Sequence, residues 1–178
     1  MNFQRLHTLL SNIMPYVVRR DDKQPAFFFV GGEDGLLAIT HDGLFSQNAA
    51  EAFRLTVVKQ ENDKYQLVYQ AQSLGGGNII SASQQIEFGD SLVLFDGLDR
   101  VEFGYYGWRS FKVKGNASGS RVQPQWYSVF SGLDKQITPE KITLTLTQGS
   151  REITLSVSLD RNTERWLSPY FDEDDHEV

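Results

Sequence analysis

From Ala26 onward the apolar residues recur at every second position in short runs broken by turn residues. That period constrains the chain more than any other feature, because it builds half-buried strands and not helices. It is cleanest near the end. Lys141 to Gln148 places Ile142, Leu144 and Leu146 on one face, and Glu152 to Leu159 places Ile153, Leu155, Val157 and Leu159 on one face, with Gly149-Ser150 between them. The pair reads as a hairpin. Phe53 to Gln60 and Lys64 to Gln70 read as a second hairpin across Glu61-Asn62-Asp63. Shorter strands are expected at Phe27–Val30, Leu36–Thr40, Gln85–Phe88, Ser91–Phe95 and Arg100–Tyr106, with turns at Gly31–Gly35, Asp42-Gly43 and Asp96-Gly97. Ser73–Asn78 reads as a flexible stretch and Lys114–Ser120 as a polar loop rich in Gly, Ser and Asn.

The first twenty residues follow a different rule. Phe3, Leu6, Leu9, Leu10, Ile13, Met14, Val17 and Val18 recur at spacings of three and four, which is the stripe of an amphipathic helix. Pro15 should kink it, and Arg19 to Asp22 with Pro25 should end it. The stripe is already in register at Phe3, with only Met1 and Asn2 ahead to cap it, which suggests the continuation of a longer helix. One helix followed by strands, without βαβ alternation, predicts an α+β domain in which an N-terminal amphipathic helix over 1–20 packs on antiparallel sheet over 26–160. A length of 178 residues suits a single globular domain over 1–171.

Charge narrows the partners. The net charge is −6, and Asp172, Glu173, Asp174, Asp175 and Glu177 supply five of those charges, leaving the body at −1. Residues 172–178 read as an acidic, disordered tail. A near-neutral body lacks the basic field that nucleic-acid binding requires. With no cysteine there is no disulfide, thiolate metal site or cysteine nucleophile. No apolar run has the length of a membrane span.

The residues offer little catalytic chemistry. His7, His41 and His176 stand in no metal-binding spacing, and no Gly-x-Ser-x-Gly elbow accompanies the His41-Asp42 pair, so a hydrolase centred there is the weakest reading. Gly31–Gly35 carries two carboxylates that would repel phosphate, and Gly75–Asn78 is followed by neither lysine nor a helix start. No cofactor or metal is expected, and no enzymatic activity. Asn116-Ala117-Ser118 fits a glycosylation sequon and marks an exposed loop. The aromatics Tyr105, Tyr106, Trp108, Phe111, Trp126, Tyr127 and Phe130 lie close together in sequence. They are either core or the surface of a carbohydrate- or ligand-binding β module.

The order of these features resembles a known family. Gly31-Gly32 precedes Leu36-x-x-Ile39 and Gly43, then comes Leu94-Phe95-Asp96-Gly97-Leu98-x-x-Val101-x-Phe103-x-Tyr105. Trp126 follows, and Pro139-x-x-Ile142-x-Leu144-x-Leu146 opens the last hairpin. From Leu6 to Leu159 the chain resembles the J-type minor pseudopilins of the bacterial type II secretion system and the related minor pilins of type IV pili. The resemblance implies a pilin-like fold and a structural role at the tip of a periplasmic pseudopilus and in the initiation of its assembly, in protein secretion. It implies I- and K-type minor pseudopilins as partners, and a leader that is cleaved, with methylation, ahead of a hydrophobic helix upstream of Phe3. That helix would anchor the protein in the bacterial inner membrane with this domain in the periplasm. The candidate protein-interaction residues are Phe3, Leu6 and Leu10 on the helix and Tyr106, Trp108 and Phe111 among the aromatics.

Overall fold

The computed structural model describes residues 3–46, 48–75 and 79–174, with side chains as far as 171. Helix α1 spans Phe3–Ser11 and buries Leu6, Leu9 and Leu10. It does not reach residue 20. The Met14 amide donates to the Ile39 carbonyl at 2.9 Å, the His41 amide donates to the Asn12 carbonyl at 2.9 Å, and Ile13 bridges Thr40. Sheet pairing thus takes the backbone groups that another helical turn would have used. Pro15 adds to this, having no amide hydrogen and driving Met14 toward extended geometry. The β-branched Val17 and Val18 then enter strand β1 (Val17–Arg19), antiparallel to β2 (Pro25–Phe27).

The chain continues through β3 (Val30–Gly31), β4 (Gly35–Thr40), β5 (Glu51–Lys59), β6 (Tyr65–Ser73), β7 (Ser91–Leu98) and β8 (Arg100–Gly107). After α2 (Phe111–Gly115) come β9 (Gln125–Tyr127), β10 (Phe130–Ser131) and α3 (Gly132–Lys135). The chain then runs through β11 (Lys141–Gln148), β12 (Arg151–Ser158) and α4 (Glu164–Asp174). Besides the β1-β2 pair there is a six-stranded sheet ordered β10-β3-β4-β5-β6-β7 and a four-stranded sheet ordered β12-β11-β8-β9. Every strand pairing is antiparallel. With twelve strands against four helices of at most eleven residues among the described residues, this is a β-rich fold of three sheets with a short N-terminal helix. The expected pilin-like α+β architecture is therefore corrected. Its premise was a long first helix, and strand pairing takes half of that segment.

The two hairpins form where the alternation places them, β5 with β6 and β11 with β12, the latter with all eight residues of each strand in register. Other boundaries differ. Gln85–Phe88 forms no strand, and the region expected as one strand at 27–30 is divided between β2 and β3. The turn expected at Asp96-Gly97 is a β-bulge inside β7. Tyr65 and Leu67 pair with Leu98 and Phe95, so one extra residue is accommodated, and Gly97 takes φ +65°. Asp172, Glu173 and Asp174 of the expected tail stand at the end of α4. Residues 175–178, and Gly76–Asn78 of the expected 73–78 loop, lie outside the described residues.

One apolar core joins the three buried leucines of α1 to the inner faces of both larger sheets, including Phe53, Leu55, Leu67 and Leu94 from one and Phe103, Tyr105, Ile142 and Leu144 from the other. The opposite face of the six-stranded sheet carries a smaller core of Val18, Phe28, Ile39, Ala52 and Ile79, beneath β1 and the segment that follows residue 78. Burial on this scale is what holds a nine-residue helix that would be marginal alone in water.

Candidate functional site

Three of the six candidate residues come from α1, and the structure separates them. Leu6 and Leu10 are 0% and 1% exposed and offer a partner no surface. Their spacing puts them on the face that meets both sheets. Phe3 is half-buried and stacks on Phe95, with ring centroids 5.0 Å apart and an interplanar angle of 21°. Beside that stack lies a 170 Å³ groove floored by Leu98 and Leu146 and edged by Gln148, Arg151 and the exposed Ile153. Of these three helix candidates, only Phe3 reaches a surface that another chain could meet.

The three aromatic candidates also diverge. Trp108 is half-buried, and its indole Nε1–H donates to Glu140 at 3.1 Å. Phe111 starts α2, which Ser110 caps by accepting the Val113 amide, and its ring packs on Phe171 of α4 at 5.2 Å. Trp108 thus ties the end of β8 to the residue before β11, and Phe111 ties α2 to α4. Lys114 strengthens the same junction through an ion pair with Glu164 at 2.7 Å. Tyr106 instead lies on the outward face of the four-stranded sheet, beside Trp126 at 5.2 Å, with the Lys141 ammonium 5.3 Å from its ring centroid.

The remaining aromatics of that region belong largely to the core. Tyr105 is fully buried and its hydroxyl donates to the carbonyls of Gly32 at 2.8 Å and Gly35 at 3.2 Å. Removal from water pushes its phenol above the ordinary tyrosine range. Phe130 meets Phe29 and Tyr127 edge-on. Lys135 lies 4.0 Å from the centroid of Tyr127, and partial burial, with Arg109 nearby, lowers its pKa. Trp126 is the exception, 54% exposed.

A second exposed apolar region carried no sequence expectation. Trp166 and Tyr170 of α4 line a 490 Å³ cleft with Val17 and Pro169, and Tyr170 and Val17 continue into a 310 Å³ cleft beside the exposed Ile80. The missed signal is the spacing of Trp166 and Tyr170, one helical turn apart in a segment whose Pro169 argues against a helix.

His41 is exposed, and the neighbouring Asp42 accepts the Asn48 amide at 3.2 Å, so this aspartate braces its loop. The same loop is held by Glu51, which is buried and accepts the Phe45 amide at 3.1 Å and the Tyr69 hydroxyl. Burial, and after it Glu51, pushes the Tyr69 phenol upward. Among the described residues no three of His, Asp and Glu gather as a metal site would require, and no helix is long and apolar enough to cross a membrane. No protein-family model matches the chain, and no curated protein matches it.

Proposed function

We propose that this chain is the globular, periplasmic portion of a minor pseudopilin. It is a structural protein that contributes to the tip of a pseudopilus and to its initiation in protein secretion, in association with I- and K-type minor pseudopilins. In this reading it has no catalytic role, and a hydrophobic helix upstream of Phe3 anchors the full protein in the inner membrane.

One observation carries the reading. Most of the residues on which the resemblance stands are far apart in sequence, yet they pack on one another. Gly31 leaves room for the Tyr105 ring, whose hydroxyl is held by Gly32 and Gly35. Leu36, Leu94, Leu98, Phe103, Ile142, Leu144 and Leu146 complete the same core around the leucines of α1. That part of the resemblance falls on side chains in one core, whereas Ile39 lies in the smaller core and Trp126 is exposed. The resemblance does not rest on a pilin-like architecture, which the β-rich fold replaces.

The test is genetic. Deleting the gene in its bacterial host should retain secreted proteins in the periplasm, or abolish surface pili if the filament is a type IV pilus, and plasmid-borne full-length protein should restore either. Unchanged secretion together with unchanged piliation would refute the proposal.

A further inference from the structure

We infer that the outward face of the four-stranded sheet binds a neutral polysaccharide, with Trp126 as the stacking platform. This goes beyond the structural role proposed above and does not depend on it. Trp126 sits on the edge strand β9, opposite Tyr106 of β8. Its ring carbons Cζ3 and Cε3 stand 3.5 and 3.6 Å from where a side chain on Gly104 would begin, so the indole lies against bare backbone. Covering a strand glycine explains one face of the ring. It does not explain the other, since half of this large side chain is open to water. An aromatic ring fixed on one side and bare on the other is a platform for the C–H face of a sugar ring, an apolar surface bordered by polar groups.

The surroundings select the ligand class. On β11 the outward residues include Thr143, Thr145 and Thr147; on β12 Ser156 stands opposite Thr143 and Thr154 opposite Thr145, with Ser158 next along the same face opposite Lys141. Strands are about 4.8 Å apart and alternate residues about 7 Å apart, so these hydroxyls form a flat grid. Each hydroxyl both donates and accepts, as sugar hydroxyls do, and the Thr145–Thr154 pair at 2.9 Å shows that the grid can form hydrogen bonds across strands. Charge is balanced on this face. Arg100 is paired with Glu102, and Lys141 and Glu152, at opposite ends of the β11–β12 hairpin, sum to zero charge. A phosphate-bearing or strongly acidic ligand finds no net attraction there. A protein partner would want several apolar anchors, and beyond the two aromatic rings the face presents hydroxyls.

The experiment is titration of the folded protein with hexasaccharides of β-1,4-glucan, chitin, mannan, xylan and α-1,4-glucan, read by calorimetry and by backbone amide shifts. At least one should bind, with shifts on β8, β9 and β11. Trp126→Ala should weaken binding by about tenfold or more, Trp126→Phe should recover part of it, and Trp166→Ala, on the far α4 cleft, should leave it unchanged. Thr145→Val with Thr154→Val should weaken it without altering the fold. If no saccharide binds up to about 10 mM, or if folded Trp126→Ala binds as well as the parent, the inference is overturned.

Discussion

Gly31→Ala tests the packing on which the proposed function rests. An added methyl would stand 2.5 Å from both Cε1 and Cζ of Tyr105, whereas carbon contacts relax near 3.5 Å or more, so the ring must move by about 1 Å. Tyr105 has nowhere to go. It is fully buried, meets Phe29 edge-on at 6.0 Å, stacks with Phe103 at 6.4 Å and is tethered through its hydroxyl to two carbonyls. Overpacking costs about 1–3 kcal/mol, and a distorted hydroxyl contact adds about 0.5–1.5 kcal/mol, giving about 2–4 kcal/mol in total. For a chain of this size that lowers Tm by about 4–16 °C. Urea unfolding followed by circular dichroism, with m unchanged, measures it directly. The cause is isolated by a second background. In Tyr105→Leu the ring is gone, and Gly31→Ala should cost less than about 0.5 kcal/mol there, a coupling of at least about 1.5 kcal/mol. A Gly31→Ala protein as stable as the parent, or an equal loss in both backgrounds, would refute the steric argument.

Leu10→Ala should lose about 2–5 kcal/mol in the same assay, since the side chain is buried between α1 and the sheets, and a loss under about 1 kcal/mol would contradict that placement. Glu51→Ala should cost about 1–3 kcal/mol by leaving the Phe45 amide and Tyr69 hydroxyl without their acceptor, and hydrogen exchange should quicken at Phe45; unaltered exchange there would count against the brace. Tyr69 and Tyr105 are held above the ordinary range, so their contribution to stability is complete below pH about 10. It is lost as pH rises from there toward their folded values, because the unfolded chain ionises first. Phenolate absorbance should show Tyr69 and Tyr105 ionising only with alkaline unfolding, and their reversible ionisation with the fold intact would contradict it.

What the sequence disclosed follows from which forces are local. The β11–β12 hairpin was legible because its two apolar runs alternate without a break and a two-residue turn fixes the register. The buried face of α1 was legible for the same reason, but its length was not. Residues 12–14 keep the helical spacing of apolar side chains while their backbone pairs with β4, a contact across more than twenty residues that no local pattern records. The bulge at Gly97 reads as a turn because an Asp-Gly pair serves both, and only pairing with β6 distinguishes them. Of the candidate surface, Tyr106 was legible as outward from its alternation with Val101, Phe103 and Tyr105. Leu6 and Leu10 are engaged in the core and Trp108 and Phe111 in half-buried contacts, because partners distant in sequence close over them. The seat of the Trp126 ring against the bare backbone of Gly104 is a relation visible only once the strands are paired.

The proposed association with I- and K-type minor pseudopilins is read from the mass of the mixed species in solution. This domain combined with the matching I- and K-type soluble domains at tens of micromolar should sediment as one heterocomplex with the summed mass, and Phe3→Glu, which places a charge in the groove beside Phe95, should weaken it while leaving Tm within a few degrees. Three independent species at that concentration, with the parent domain folded, would contradict the account.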